Sequence, residues 1–122
     1  MKNFRDLIVW EKAHKLTLNA YLATRSFPRE ELYGLTSQIR RCATSVAANI
    51  AEGCGKRSNA DFGRLLGIAA GSASELEYHF HLARDLQFLD SERYEPLEAA
   101  VVEVKRMLAS LIRKIESERL AG

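Results

Sequence analysis

The chain has 122 residues, of which 47% are hydrophobic, and a formal net charge of +2 at pH 7. This length and composition predict one domain over residues 1–122, with a core that requires no disulfide or metal. The net charge is too small to indicate nucleic-acid binding by the whole surface, and no apolar run reaches the roughly 20 residues that cross a bilayer. We expect a cytoplasmic protein without a membrane partner.

The first predicted helix begins near Asp6 or Leu7 and ends at about Ser26, because Phe27-Pro28 stops it. One apolar stripe along it has the spacing of a core-facing side. A second stripe lies on another side of the helix, and it consists of Leu7, Trp10, His14, Thr17 and Tyr21, with Leu18 and Leu22 beside it. A helix in a monomeric bundle needs only one apolar side, so the second stripe predicts contact between copies of the chain.

The second predicted helix covers about Leu35 to Glu52 and has an apolar seam of the same spacing. Asn49 is the polar residue on this seam, and we interpret it as a structural amide that fixes helix register or bonds a neighbouring backbone carbonyl. Cys42 and Cys54 stand 12 residues apart, which is about 18 Å along a helix and too far for a disulfide. We expect both cysteines to be reduced and to pack as small apolar side chains.

The segment after the second helix, GCGKRS, resembles the end of a nucleotide-binding P-loop. It lacks the first glycine of that motif, Lys56 is followed by Arg57 rather than Ser or Thr, and a helix precedes it instead of a strand. These departures exclude a P-loop. Ser58 is suited to cap the third helix, so Lys56, Arg57 and the amides at that helix start could contact a phosphate or a carboxylate. A solvated basic turn without a ligand is the alternative.

The third predicted helix, from about Asn59 to Gln87, has a regular heptad of apolar residues. On another side Gly63, Gly67 and Gly71 recur every four residues. A glycine inside a helix costs on the order of 1 kcal/mol relative to alanine, so the three glycines indicate a place where another helix approaches closely. The approaching helix is either one of a neighbouring subunit or the second helix, through its small residues Ala43, Ala47 and Ala51.

The fourth predicted helix follows a cap at Asp90 or Ser91 and runs to about Glu118. The chain contains no strand pattern and no repeat of the length seen in solenoid proteins. Four heptad-patterned helices joined by short connections predict an all-α fold, an up-down-up-down four-helix bundle.

Candidate catalytic and metal-binding residues are few. Glu75 with His79, and Glu77 with His81, are each four residues apart and share a helix face, but the two pairs point to different sides. Neither pair has the number of ligands that a metal site requires, and no nucleophile has a base at a defined spacing. We predict no catalytic residue, no metal site, no cofactor and no enzymatic activity.

Three segments resemble a known family: LIVWEKAHKL at residues 7–16, FPREELYGLTSQIRRCATSVAANIAEG at residues 27–53 and LLGIAAGSASELE at residues 65–77. They look like the bacterial four-helix bundle proteins called 23S rRNA intervening sequence proteins, or S23 proteins. The resemblance implies a homopentamer around a central channel. It also implies a fold similar to that of the accessory protein of diversity-generating retroelements, a basic pentamer that binds nucleic acid and a reverse transcriptase.

The function that we predict is that of a homo-oligomeric, non-enzymatic bundle that acts as a nucleic-acid-associated adaptor. Arg40 and Arg41 are about 100° apart on a helix, so one can pair internally, with Glu52 or another neighbour, while the other reaches solvent. The absence of aromatic residues among the cations favours phosphate contacts with structured RNA or DNA over base stacking. The alternative function is a protein-binding oligomeric scaffold with no nucleic-acid role. The predicted basic surface consists of Arg40, Arg41, Lys56, Arg57 and Arg64.

Overall fold

The structure is a computed structural model that describes residues 3–121. Those residues form four long α-helices and two short 3-10 turns, and they contain no β-strand, so the all-α prediction is confirmed. None of these helices combines the length and the apolar character that crossing a membrane requires. The bounds are α1 Ile8–Thr24, α2 Leu35–Cys54, α3 Asn59–Asp85 and α4 Ser91–Ala121, with the 3-10 turns at Phe4–Asp6 and Arg29–Glu31.

The four helices surround one core. α1 packs against α2 and α4, and α3 packs against the same two helices, so α1 and α3 occupy diagonal corners. The connections between successive helices are short, so neighbours along the chain run antiparallel, as in an up-down-up-down bundle. The largest fully buried side chains come from all four helices, and they are Phe80, Leu16, Ile39, Ile50, Leu66, Leu76 and Leu108.

Side-chain caps fix where α3 and α4 begin. Ser58 Oγ accepts a hydrogen bond from the Asp61 amide at 3.2 Å, as its sequence position predicts. For α4 the structure selects between two predicted caps, because Asp90 Oδ1 accepts from the Arg93 amide at 2.9 Å while Ser91 is the first helical residue. These bonds satisfy amide groups that have no partner within their own helix.

The end of α2 differs from its predicted position. The sequence predicts that α2 ends at about Glu52, with Gly53 and Gly55 as its terminating residues. Gly55 is indeed the C-cap, but Gly53 lies inside α2, which continues to Cys54. A Cβ atom at Gly53 would lie 2.8 Å from Cδ1 of the Phe62 ring, which is buried near the start of α3. Gly53 therefore permits the close approach of α3, because a larger residue would collide with Phe62.

The end of α3 is formed by a left-handed residue. Gln87 has a φ of 68°, and it is the non-glycine residue with positive φ in the described range 3–121. The amides of Phe88 and Leu89 both donate to the Ala83 carbonyl, at 2.9 and 3.3 Å. Glycine is the usual residue at such a helix end, because a side chain is strained there. The sequence, which has Gln in this place, therefore predicts an end about two residues too late.

Candidate nucleic-acid interface and assembly surfaces

Arg40 holds α2 against α1. Its Nε donates a hydrogen bond to Thr24 Oγ1 at 2.9 Å, and its guanidinium lies 4.8 Å from the ring centroid of Tyr21. Thr24 is buried, and its hydroxyl donates to the Ala20 carbonyl at 2.9 Å. Arg40 is thus the arginine of the predicted pair that bonds internally, and its partners lie on α1 rather than at Glu52. We therefore leave it out of the candidate interface.

Arg41 lies on a different side of α2. It is exposed, and its positive charge lies near Glu75 of α3. The two adjacent arginines therefore point to different neighbours, as their angular separation on a helix predicts.

Three of the predicted cations lie around the turn from α2 to α3. Lys56, Arg57 and Arg64 are all exposed, and we call them the basic end. Lys56 Nζ lies 3.9 Å from the Glu52 carboxylate, and Arg64 Nε lies 3.8 Å from that of Asp61. Exposed ion pairs contribute about 0–1 kcal/mol, so both cations can exchange a carboxylate for a phosphate at little cost.

The basic end is separate from Arg41. Arg41 and Lys56 are 15 residues apart in the sequence, which corresponds to about 22 Å along a helix axis. A single phosphate cannot contact both, so the predicted basic surface divides into two parts. Arg119 of α4, a cation that sequence reasoning missed, lines a groove of 290 Å³ together with Arg64. Its Nη2 pairs at 2.6 Å with Oε1 of Glu116, which lines the same groove. Arg119 and Arg64 are close only because α4 packs on α3. Nothing in the sequence predicts that these two residues are neighbours.

The predicted glycine face is open to solvent within one subunit. Apart from the neighbouring backbone of α3 itself, a Cβ atom at Gly67 or Gly71 would have no atom of the described residues 3–121 within 4 Å, and one at Gly63 would meet Ile115 Cγ2 at 3.7 Å. Of the two partners that the sequence left open, the small residues of α2 are therefore excluded. Ala43 instead faces α1, where its carbonyl accepts a hydrogen bond from Thr17 Oγ1 at 3.1 Å. The neighbouring-subunit alternative stays a prediction.

α1 has the second apolar side that its sequence predicts. Leu18, Leu22 and Tyr21 are 52%, 54% and 43% exposed. Trp10 stacks on His14 with ring centroids 5.0 Å apart, and both rings line a groove of 430 Å³ between α1 and α2. Within one subunit Leu18, Tyr21 and Leu22 stay exposed, whereas Trp10 is half-buried and packs against the core. We call this side of the helix the α1 stripe, and it consists of Trp10, His14, Leu18, Tyr21 and Leu22.

Asn49 is half-buried and forms its bonds within α2. Its Nδ2 donates to the Ser45 carbonyl at 2.8 Å and to Ser45 Oγ at 3.1 Å. The Ser45 hydroxyl in turn lies 2.8 Å from the Ser72 hydroxyl of α3. Asn49 therefore bonds a backbone carbonyl, one of the two predicted roles, and it supports a polar contact that aligns α2 with α3.

Cys42, Glu75 and His79 form a cluster between α2 and α3. The Cys42 sulfur, one carboxylate oxygen and one imidazole nitrogen all lie within 4.8 Å of one another. Burial, together with a hydrogen bond to Glu75, raises the pKa of the Cys42 thiol to about 12. Hydrogen bonds with His79 and then with Cys42 lower the pKa of the Glu75 carboxyl. The thiol is protonated at neutral pH, so it is a poor nucleophile.

Sequence reasoning identified two of the three residues of this cluster. The spacing of Glu75 and His79 places them on one face of α3, but nothing in the sequence shows that Cys42 lies opposite them. The contact depends on the axial alignment of α2 and α3, which the periodicity of each helix leaves undetermined.

The fold defines the class of protein as an all-α protein of four helices that share one core. The chain belongs to the 23S rRNA-intervening sequence protein family, which it matches over residues 5–110. The family that the sequence segments predict is therefore confirmed. The further similarity to the retroelement accessory protein stays a prediction.

A similar solved structure is the crystal structure of a protein with unknown function from the S23 ribosomal protein family of Bacteroides thetaiotaomicron VPI-5482. The two chains are 29% identical with a TM-score of 0.78, over 86% of this chain and 98% of that one. The comparison with curated proteins finds no match. The solved structure supports the fold and the family, and its description assigns no activity.

Proposed function

We propose that the chain assembles into a homo-oligomer, with five copies as the family resemblance implies, and that the assembly is a non-enzymatic adaptor for structured RNA or duplex DNA. The observation that carries this proposal is the α1 stripe, an apolar side of a helix that one subunit leaves exposed. Each subunit contributes one basic end to the assembly, and the assembly presents these ends to the phosphates of a nucleic acid.

The exposed apolar surface favours contact with another copy. Removing apolar surface from water contributes about 25 cal/mol for each Å², so covering Leu18, Tyr21 and Leu22 stabilises a complex. The glycine face supports the same conclusion, because Gly67 and Gly71 leave the backbone of α3 accessible to a close neighbour.

The positions of the two surfaces favour a ring. α1 and α3 occupy diagonal corners of the bundle, so the α1 stripe and the glycine face lie at different corners of the subunit. A contact between the stripe of one copy and the glycine face of the next is head-to-tail, and such contacts form a closed ring when the rotation between copies is suitable. A pentamer is one such ring.

The charge of the basic end is modest in a single subunit, because Glu52 and Asp61 lie beside its cations. Binding by one subunit is therefore weak. Several basic ends on one assembly contact a long polyanion together, and the effective concentration of the second contact raises the overall affinity. Phosphate contacts of this kind release counterions, so the affinity falls as the salt concentration rises.

Two measurements on the untagged protein test the proposal. Light scattering should show a closed oligomer at micromolar concentration, and Leu22→Glu should reduce it to monomers. The matched control is Leu32→Glu, which changes a residue that is 48% exposed outside the stripe. Titration of a structured RNA and a DNA duplex across salt should give an affinity that falls with salt. A monomeric wild type would contradict the assembly, and no affinity at low salt would contradict the phosphate contacts.

The second candidate function is a protein-binding scaffold without a nucleic-acid role. The 430 Å³ groove beside Trp10 and His14 favours it, since apolar grooves between helices accept side chains of a partner. A partner protein that stays bound after nuclease treatment, and that Trp10→Ala releases, would support the scaffold. In that case the wild-type protein would show no salt-dependent affinity for RNA or DNA.

A further inference from the structure

We propose that Cys42, Glu75 and His79 bind one zinc ion at the surface between α2 and α3. The site offers a sulfur, a carboxylate oxygen and an imidazole nitrogen, which are the three ligand types that zinc takes from proteins. The sequence predicts no metal site because α3 alone supplies two of these ligands. The structure adds the third from α2.

The donor atoms are close to the spacing that zinc requires. Bond lengths of about 2.0–2.3 Å in a tetrahedral site place neighbouring ligand atoms roughly 3.5 Å apart. Glu75 Oε2 and His79 Nε2 are 3.2 Å apart, and all three donors lie within 4.8 Å of one another. Glu75 is exposed, so a small rotation of its side chain can close the remaining gap. A water molecule would complete a tetrahedral site with three protein ligands.

The alignment of α2 and α3 is fixed beside the cluster. The Ser45 and Ser72 hydroxyls lie 2.8 Å apart across the two helices. Ser45 follows Cys42 by three residues and Ser72 precedes Glu75 by three, so antiparallel helices that pair the serines also pair Cys42 with Glu75. Ligands on two packed helices keep their geometry better than ligands on a loop.

His79 has an uncommitted nitrogen. Its Nδ1 is buried and has no hydrogen-bond partner in the part of the chain that the structure describes. Buried polar atoms without a partner are rare in folded proteins, and either nitrogen of a neutral imidazole can bind a metal. Nε2 is the nitrogen within 3.2 Å of Glu75 Oε2, so it is the one placed to bind the metal, and Nδ1 would then carry the imidazole proton.

Two features of the site oppose metal binding and limit its strength. The Cys42 thiol is protonated in the metal-free protein, so its proton must leave as zinc binds, a change that a coordinating zinc ion promotes. The positive charge of Arg41 also lies near Glu75. With a single thiolate ligand, the site should bind zinc more weakly than a structural site in which every ligand is a cysteine.

The experiment uses the untagged full chain after treatment with a chelator, and zinc is titrated in competition with a chromophoric indicator. We expect one zinc ion per chain. Cys42→Ser, Glu75→Gln and His79→Gln should each weaken the affinity at least about tenfold, since even loss of a group outside the ligand shell costs this much. The matched control is His81→Gln, because His81 Nε2 lies 3.2 Å from Asp85 Oδ2 in an equivalent pair without a cysteine.

Cobalt provides a readout of the sulfur ligand. Cobalt(II) bound to the wild type should show a thiolate-to-metal charge-transfer band, which Cys42→Ser abolishes and Cys54→Ser retains. Glu75→Gln changes an exposed side chain and should leave the fold intact, so it decides the outcome even if Cys42→Ser fails to fold. Equal zinc affinity in the wild type and Glu75→Gln, an equal loss in His81→Gln, or a cobalt spectrum without the thiolate band would each overturn the site.

Discussion

Arg40 Nε donates a hydrogen bond to Thr24 Oγ1 at 2.9 Å, and this bond joins the start of α2 to the end of α1. Tyr21 covers the guanidinium from one side. The bond gives Arg40 a role within the subunit, whereas Arg41 beside it remains exposed. Two adjacent residues of the same type therefore contribute to different properties of the protein, one to stability and the other to surface charge.

Arg40→Ala should lower the free energy of unfolding by about 1–2 kcal/mol. A hydrogen bond to a charged group contributes about 1.5–3 kcal/mol, and partial exposure of Arg40 reduces this value. The matched control, Arg41→Ala, should change the free energy by less than about 0.5 kcal/mol, as surface substitutions usually do. Urea unfolding measures both. Equal losses in the two variants would show that the Thr24 bond contributes no stability.

Gly67→Leu should leave each subunit folded and reduce the size of the oligomer. Apart from the neighbouring backbone of α3, a Cβ at Gly67 meets no atom of the described residues 3–121 within 4 Å, but a leucine there would collide with a neighbouring subunit packed on the glycine face. Light scattering measures the size, and circular dichroism measures helix content.

The control for that variant is Gly53→Ala, which adds a methyl group 2.8 Å from the Phe62 ring. Overpacking of a core costs about 1–3 kcal/mol, and the gain in helix propensity over glycine returns about 1 kcal/mol. Gly53→Ala should therefore lower the melting temperature without acting on assembly directly. An unchanged oligomer in Gly67→Leu would mean that the glycine face is not an interface.

The combined variant Lys56→Gln and Arg57→Gln should weaken the salt dependence of DNA binding. Each lost phosphate contact lowers the slope of log K against log salt by about 0.9, so the slope should fall by roughly 2 for each subunit in contact. Arg25→Gln with Arg29→Gln removes the same charge from exposed residues at the opposite end of the bundle. If that control lowers the slope as much, the effect comes from net charge and not from the basic end.

The stability of the wild type should fall at alkaline pH more steeply than that of Tyr94→Phe. Burial raises the pKa of the Tyr94 hydroxyl, although the Arg84 guanidinium 4.6 Å from its ring opposes the shift. Because the pKa is higher in the folded state, the neutral phenol contributes stability below the ordinary tyrosine pKa. That contribution is lost as the pH rises through the pKa that Tyr94 has in the folded protein. Denaturant unfolding over this range measures it, and identical pH profiles would contradict burial of the hydroxyl.

The sequence predicts the helices well because most helix ends carry a recognisable capping or stop residue. Ser58 and Asp90 act as caps, and the apolar spacing identifies the buried side of each helix. The prediction of helix ends fails at Gly53, where a glycine inside a helix makes room for Phe62. It also fails at Gln87, where a residue other than glycine takes the left-handed position. In both places a tertiary contact or a strained conformation outweighs the local preference.

The candidate site was less predictable than the fold. The sequence identifies the cations and the exposed stripe of α1, because residue type and helical spacing determine which side of a helix is charged or apolar. It does not separate Arg40 from the basic end, join Arg119 to Arg64, or bring Cys42 to Glu75 and His79.

The sequence by itself therefore determines four amphipathic helices, their order and the family to which the chain belongs. The tertiary structure decides which helix each apolar side meets and how neighbouring helices are aligned along their axes. Spacing along a helix carries no information on that alignment, because many axial positions bury a similar apolar area. Contacts between separate segments, such as Ser45 with Ser72, select one of them.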